Sequence, residues 1–187
     1  MHTVLWNSLD REGHDACRIS KASSGWHVEG SAVFSHHDND VASLSYRLEC
    51  DDAWQSCAAL VKGWVGSRNM EVSIARQANG HWLINGLHDA SLDGLADIDL
   101  GFTPASNTNA LRRLNLKEMQ AGTSVAVWLD TEDWCVKSLH QEYVRTGRNM
   151  YDYASPRHGY RATLEVTDFG IVVEYPGLWK MCRLAQS

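Results

Sequence analysis

The sequence predicts a mainly β fold with a single short helix, on three observations. Apolar residues recur at every second position through most of the chain. Glycine- and asparagine-containing turns punctuate those runs, and only one segment opens with helix-starting residues. At 187 residues, 44% hydrophobic and 21% charged, the chain has the size of one domain able to bury its own core. No linker, repeat or low-complexity tract divides it, so 1–187 reads as a single domain.

The alternation is explicit from the first third of the chain onward. Leu44, Tyr46 and Leu48 interleave with Ser43, Ser45, Arg47 and Glu49, and Met70, Val72 and Ile74 with Glu71 and Ser73. Val125, Val127 and Leu129 alternate with Ser124 and Ala126, and Tyr160, Ala162, Leu164 and Val166 with Arg161, Thr163 and Glu165. Each run describes a strand with one face in a core. Turns fall at Ser23-Ser24-Gly25, Gly66-Ser67-Arg68-Asn69, Asn79-Gly80, Asn85-Gly86 and Asp168-Phe169-Gly170. Asn79-Gly80 predicts a type I′ hairpin, since both residues tolerate positive φ. Strands joined by short turns pair antiparallel. The helix falls within Thr103–Leu114. Either Thr103 caps it with Pro104 at the first helical position, or Thr108 or Asn109 caps a body of Ala110–Leu114.

A net charge of −6 argues against nucleic acid or an anionic membrane as the main partner, because both call for a basic surface. No apolar run approaches the ~20 residues that span a bilayer, so no membrane insertion is expected. The start shows no basic stretch leading into an apolar one, and five cysteines lack any C-x-x-C spacing. Reduced thiols and a cytoplasmic location are the expectation.

Fixed charge gathers where the strand pattern breaks, in DIDLGFTPASNTNALRRLNL, Asp97–Leu116. Asp97 and Asp99, two apart on a strand, share a face about 7 Å apart. That separation overlaps the ~6.5–9.5 Å between the carboxyls of an inverting glycosidase, and it equally suits an ion-pair cluster with Arg112 or Arg113. Neighbouring arginines on a helix diverge by about 100°, so one can face a pocket while the other meets solvent, or one pairs internally with an aspartate. Eight tryptophans and six tyrosines suit sugar stacking or a β-rich core, and Tyr151 and Tyr153 share a strand face. His36-His37-Asp38-Asn39-Asp40 reads as a solvated loop. No zinc spacing, P-loop, G-x-S-x-G or G-x-G-x-x-G is present, so neither metal, cofactor nor catalytic residues are predicted.

Asp97–Leu116 resembles the D-x-x-x-G-F/C-T-P-A-T-N-T-x-P-x-R-R-L block of the putative glycolipid-binding proteins, a bacterial family. Val173–Met181, VEYPGLWKM, resembles the Y-P-G-L-W run that closes that family. Gln141, Tyr143, Tyr151 and Tyr153 resemble its Q-x-Y…Y-x-Y stretch. The chain departs from the pattern at Ser106, in place of Thr, and at Ala110, in place of Pro. The resemblance implies a many-stranded antiparallel sheet rolled in a spiral around one α-helix, assembled as a homodimer. It also implies binding of a glycolipid or similar amphiphile.

The combined expectation is non-catalytic binding of an amphipathic small molecule in the interior or mouth of the roll. The proposed contacts are Asp97, Asp99, Asn107, Arg112, Arg113, Tyr143, Tyr151, Tyr153, Tyr175 and Trp179. The alternative is an enzyme acting on a sugar or lipid head group, with Asp97 and Asp99 as its acid–base pair.

Overall fold

A computed structural model describes residues 1–37 and 40–186. Asp38 and Asn39 of the predicted His36–Asp40 loop therefore lie outside the described residues. Fifteen strands form one continuous sheet: β1 (His2–Ser8), β2 (Gly13–Ala22), β3 (Gly25–Ser35), β4 (Val41–Cys50), β5 (Ser56–Val65), β6 (Arg68–Arg76), β7 (Trp82–Ile84), β8 (Leu87–His88), β9 (Asp97–Leu100), β10 (Ala121–Leu129), β11 (Val136–Gly147), β12 (Met150–Ser155), β13 (Tyr160–Val166), β14 (Val172–Tyr175) and β15 (Trp179–Gln186). The spatial order runs β8 to β1, then β15 down to β9, so β1 and β15 join the two halves and β8 and β9 are the edges. Every described neighbour pair is antiparallel except β9 and β10. That exception departs from the all-antiparallel expectation, and the helical segment between the two strands supplies the crossover that parallel pairing demands.

The alternation that predicts the strands also sets their burial. Leu44, Tyr46 and Leu48 are buried in β4 while Ser45 and Arg47 face out, and Met70, Val72 and Ile74 do the same in β6. In β9 the pattern fails informatively. Asp97 points to one face and Ile98 and Leu100 to the other, yet all three are buried. Val127 and Leu129 of β10 are likewise fully buried on the face opposite Ala126, itself at 0% exposure. Both faces of this edge are covered because the sheet curls until β9 meets β5, where the Ser56 N–H donates to the Ala96 carbonyl at 3.0 Å. β6, β7 and β8 continue beyond that seam, so the sheet forms a scroll and not a closed barrel.

The helical segment plugs the seam. Thr103 caps a 3-10 turn over Pro104–Ser106 that runs directly into α1 (Asn107–Leu114), in line with the earlier of the two expected starts. Asn115 in the left-handed region ends it, its N–H bonded to the Leu111 carbonyl. Asn107 through Leu111 are buried with three polar side chains among them, and one of these, Asn109, serves β9's free edge. Ile98 N–H donates to Ser56 Oγ at 3.0 Å, the Ile98 carbonyl accepts from Asn109 Nδ2 at 3.1 Å, and Leu100 N–H donates to Ser106 Oγ at 3.1 Å. Asn109 Nδ2 also reaches Ser56 Oγ at 3.0 Å. Side chains thus replace the missing sixteenth strand. The departure at Ser106 keeps the hydroxyl this edge uses, and Ala110 sits inside the helix where no helix-opening proline is called for.

Two tight turns shape the other edge. Asn79-Gly80 does join β6 to β7, though not as a type I′ turn. Only Gly80 has positive φ (86°), and Gln77 N–H pairs with the His81 carbonyl around a three-residue loop. The type I′ signature falls instead at Asn85-Gly86, with φ of 50° and 82°, between β7 and β8.

Candidate functional site

The inward faces of β9 to β12 line up in one row. Across the ladders Asp97 stands opposite Ala126, Asp99 opposite Trp128, Ser124 opposite Gln141, and Tyr143 opposite Tyr153. The interior behind this row is filled by Tyr143, Phe102, Trp6 and the buried side of α1. One hollow lies at the end of the scroll where β9, β10 and β14 stop. It measures about 410 Å3, within the ~300–1,000 Å3 of small-molecule sites. Asp99, Asn107, Tyr153, Tyr175 and Trp179 line it, and with them Trp128 and Ser155. A second hollow of about 330 Å3, lined by Arg11, His36 and His37, shares Trp179 and Leu178 with the first.

The two predicted carboxylates have different fates. Asp97 is 1% exposed, and its oxygens accept from Arg113 Nε at 2.8 Å and Nη2 at 2.7 Å and from the Ser124 hydroxyl. Both oxygens are occupied and turned away from the hollow, so this residue is not placed to exchange protons with a substrate. Asp99 accepts from Gln141 Nε2 at 2.8 Å and, weakly, from Ser106 Oγ at 3.5 Å. Desolvation raises its pKa to about 6, against the lowering effect of those two donors. It has no cationic partner among the described residues and keeps lone pairs for a ligand.

The arginines diverge as a helix requires. Arg113 turns in to Asp97, while Arg112 lies over the rings of Phe169 (4.8 Å) and Trp54 (5.6 Å). Arg112 and Tyr151 line a separate hollow of about 90 Å3 with Arg145 and Arg148. Tyr143 is fully buried behind the cavity wall. The structure therefore brings five of the ten predicted residues (Asp99, Asn107, Tyr153, Tyr175, Trp179) to one cavity. It places Asp97 and Tyr143 inside the fold with Arg113 half-buried beside Asp97, and Arg112 and Tyr151 elsewhere.

Sequence reasoning missed several wall residues. Ser155 is 4% exposed, and its buried hydroxyl has no hydrogen-bond partner among the described residues. It ends β12, in the Ala154–Gly159 loop that punctuates the strands. Tyr160, two residues beyond His158, packs edge-on and tilted into a cluster with Tyr153 and Tyr175 at centroid distances of 5.7–6.1 Å. Trp128 sits on the alternating run of β10, on the face that carries Asp99 across the ladder. A deeper residue was missed as well. Asp15 on β2 is fully buried and accepts from Tyr46 OH at 2.8 Å and from the Thr103 hydroxyl. Burial pushes its pKa up to about 7, against those two donors. Its signal lay in the pattern Asp15, Cys17, Ile19, an inward row that begins with a carboxylate.

Among solved structures, the chain is similar to a DUF1089 family protein from Pseudomonas aeruginosa, with a TM-score of 0.79 at 24% identity, covering 89% of this chain and 91% of that one. It is also similar to a β-barrel-like protein, a domain of unknown function DUF1849, from Brucella abortus. There the TM-score is 0.56 at 11% identity, covering 98% and 96%. At these identities the likeness shows the fold alone. No curated protein sequence matches the chain. No described helix is long and apolar enough to cross a membrane. Residues 3–181 match one family profile along nearly the whole length, and the chain belongs to the family described as Putative glycolipid-binding.

Proposed function

We propose that the protein binds, without catalysis, the sugar head group of a glycolipid or similar amphiphile in the cavity at the mouth of the scroll. The observation that carries this reading is the wall itself. Trp128, Tyr153, Tyr160, Tyr175 and Trp179 offer flat apolar faces, while the Asp99 carboxylate stands among them. Stacking faces beside hydrogen-bond acceptors suit a polyol, whose axial C–H groups are apolar and whose hydroxyls donate. An ionised carboxylate accepting from hydroxyls makes the stronger, charge-assisted kind of bond. The interior is packed, so the aliphatic tail runs outward from the cavity mouth. The acid–base alternative loses support because Asp97 is sealed in its pair with Arg113.

Two further expectations belong to this reading. Five unpaired cysteines support a reducing, cytoplasmic setting. A homodimer is supported by exposed Val33 and Trp64, which flank Ser43 in one cross-strand row on the outer face.

The test is native mass spectrometry of gently purified protein, followed by calorimetric titration with octyl glucoside below its micelle concentration. A retained lipid mass is expected, together with saturable binding that Trp128→Ala weakens about tenfold, or about 1.4 kcal/mol. Binding should also weaken as pH falls from 7 to 5 and Asp99 takes up its proton. No retained mass and no saturable binding would remove the proposal.

A further inference from the structure

Outside the cavity, three potential ligand side chains converge at the β8 edge. His81 comes from the β6–β7 loop, His88 ends β8, and Asp93 follows the 3-10 turn Ala90–Leu92. Their donor atoms all lie within 4.8 Å of one another. His88 Nε2 is 2.9 Å from Asp93 Oδ2 and 3.0 Å from Oδ1, and His81 Nε2 is 3.7 Å from Oδ2. The two imidazole rings are stacked at 4.4 Å with 14° between their planes. His88 Nε2 already points at the carboxylate that would share the ion.

We propose that His81, His88 and Asp93 form a surface site for a divalent transition-metal ion of the zinc class. A tetrahedral ion with bonds of about 2.0–2.1 Å spaces its ligand atoms about 3.3 Å apart, which the three side chains reach once the His81 ring rotates out of its stack on His88. Two imidazoles and one carboxylate favour zinc, nickel or copper over magnesium or calcium, and they leave a coordination position for water. A supporting contact is in place. Trp82 N–H donates to Asp93 Oδ1 at 3.2 Å and so orients the carboxylate. Gly80 and the type I′ turn at Asn85-Gly86 fix the two loops that present the histidines. None of the three residues lines the mouth cavity, so this site stands independently of the ligand proposed there.

The experiment is calorimetric titration of the full chain with zinc chloride at pH 7.5, after alkylation of the exposed Cys57, Cys135 and Cys182 to remove competing thiols. One zinc per chain is expected. His81→Ala and His88→Ala should each weaken binding at least about tenfold, and His14→Ala should leave it unchanged. Magnesium should not bind. Copper bound to the unmutated chain should show two nitrogen ligands by electron paramagnetic resonance, a readout that does not depend on any variant folding. Absence of zinc binding at millimolar metal, zinc binding that survives the double His81→Ala, His88→Ala change, or a copper spectrum without nitrogen coupling would overturn the assignment.

Discussion

Replacing Asp15 by asparagine should change how stability depends on pH, because the folded chain holds this proton far more tightly than the unfolded chain does. The ordinary value is 3.8, and burial beneath Tyr46 and Thr103 raises it to about 7. A carboxyl whose folded pKa is the higher one binds its proton in the native state first. Its contribution to stability is therefore complete near pH 4 and is lost as pH rises through 7. Between pH 8 and pH 5 the folded state takes up nearly one proton that the unfolded state does not. Integrating at about 1.4 kcal/mol per pH unit below 7 gives a gain of about 2.6 kcal/mol over that interval. For a chain of this length that corresponds to a rise of about 5–10 °C in Tm. Asp15→Asn lacks the proton and lacks the gain. It keeps an acceptor for both hydroxyls and puts its amide where Asp15 Oδ1 has no partner among the described residues. Melting followed by circular dichroism at pH 8, 7, 6 and 5 should show the variant's advantage over the original chain shrinking by that amount toward acid. The lowered pKa values of His2 and His36, which oppose stability toward acid, cancel in the difference. Parallel curves for the two proteins would refute the reasoning.

Arg113→Met should cost about 3–5 kcal/mol in urea unfolding, because it leaves the Asp97 carboxylate buried against Ser124 without its cation; a loss under 1 kcal/mol would show the pair to be unimportant. Ser56→Ala should cost about 1–3 kcal/mol, since it strips the acceptor shared by Ile98 N–H and Asn109 Nδ2 at the seam, and an unchanged unfolding midpoint would contradict the seam's role.

Period-2 burial made β4, β6 and β13 legible in the sequence, since each has one wet face and one dry one. The pattern could not show the curl, because Ile98 and Leu100 look like one side of an ordinary strand until β5 closes over them. The same holds for the site. Asp99, Tyr153, Tyr175 and Trp179 were visible because a shared sequence block marks them, whereas Ser155, Trp128 and Tyr160 carry no local signature. Asp15 and Thr103 meet across 88 residues, and His81, His88 and Asp93 become neighbours only once two hairpin turns are folded. Asp97 and Asp99 were indistinguishable as letters. One of them faces an arginine and the other faces a hollow, and that difference belongs to the ladder with β10.

A closed barrel has its girth dictated by strand number and stagger, so widening it means adding a hairpin. Here the sheet overlaps itself, and β9 is tied to β5 by the Ser56 hydroxyl and one backbone bond from Ser56 to Ala96, not by a full ladder. Diameter thus becomes adjustable by sliding one margin past the other, with every hydrogen-bonded strand pair left whole. Descendants of such a chain can tune the bore of the tube by trading a few small polar residues along a single join.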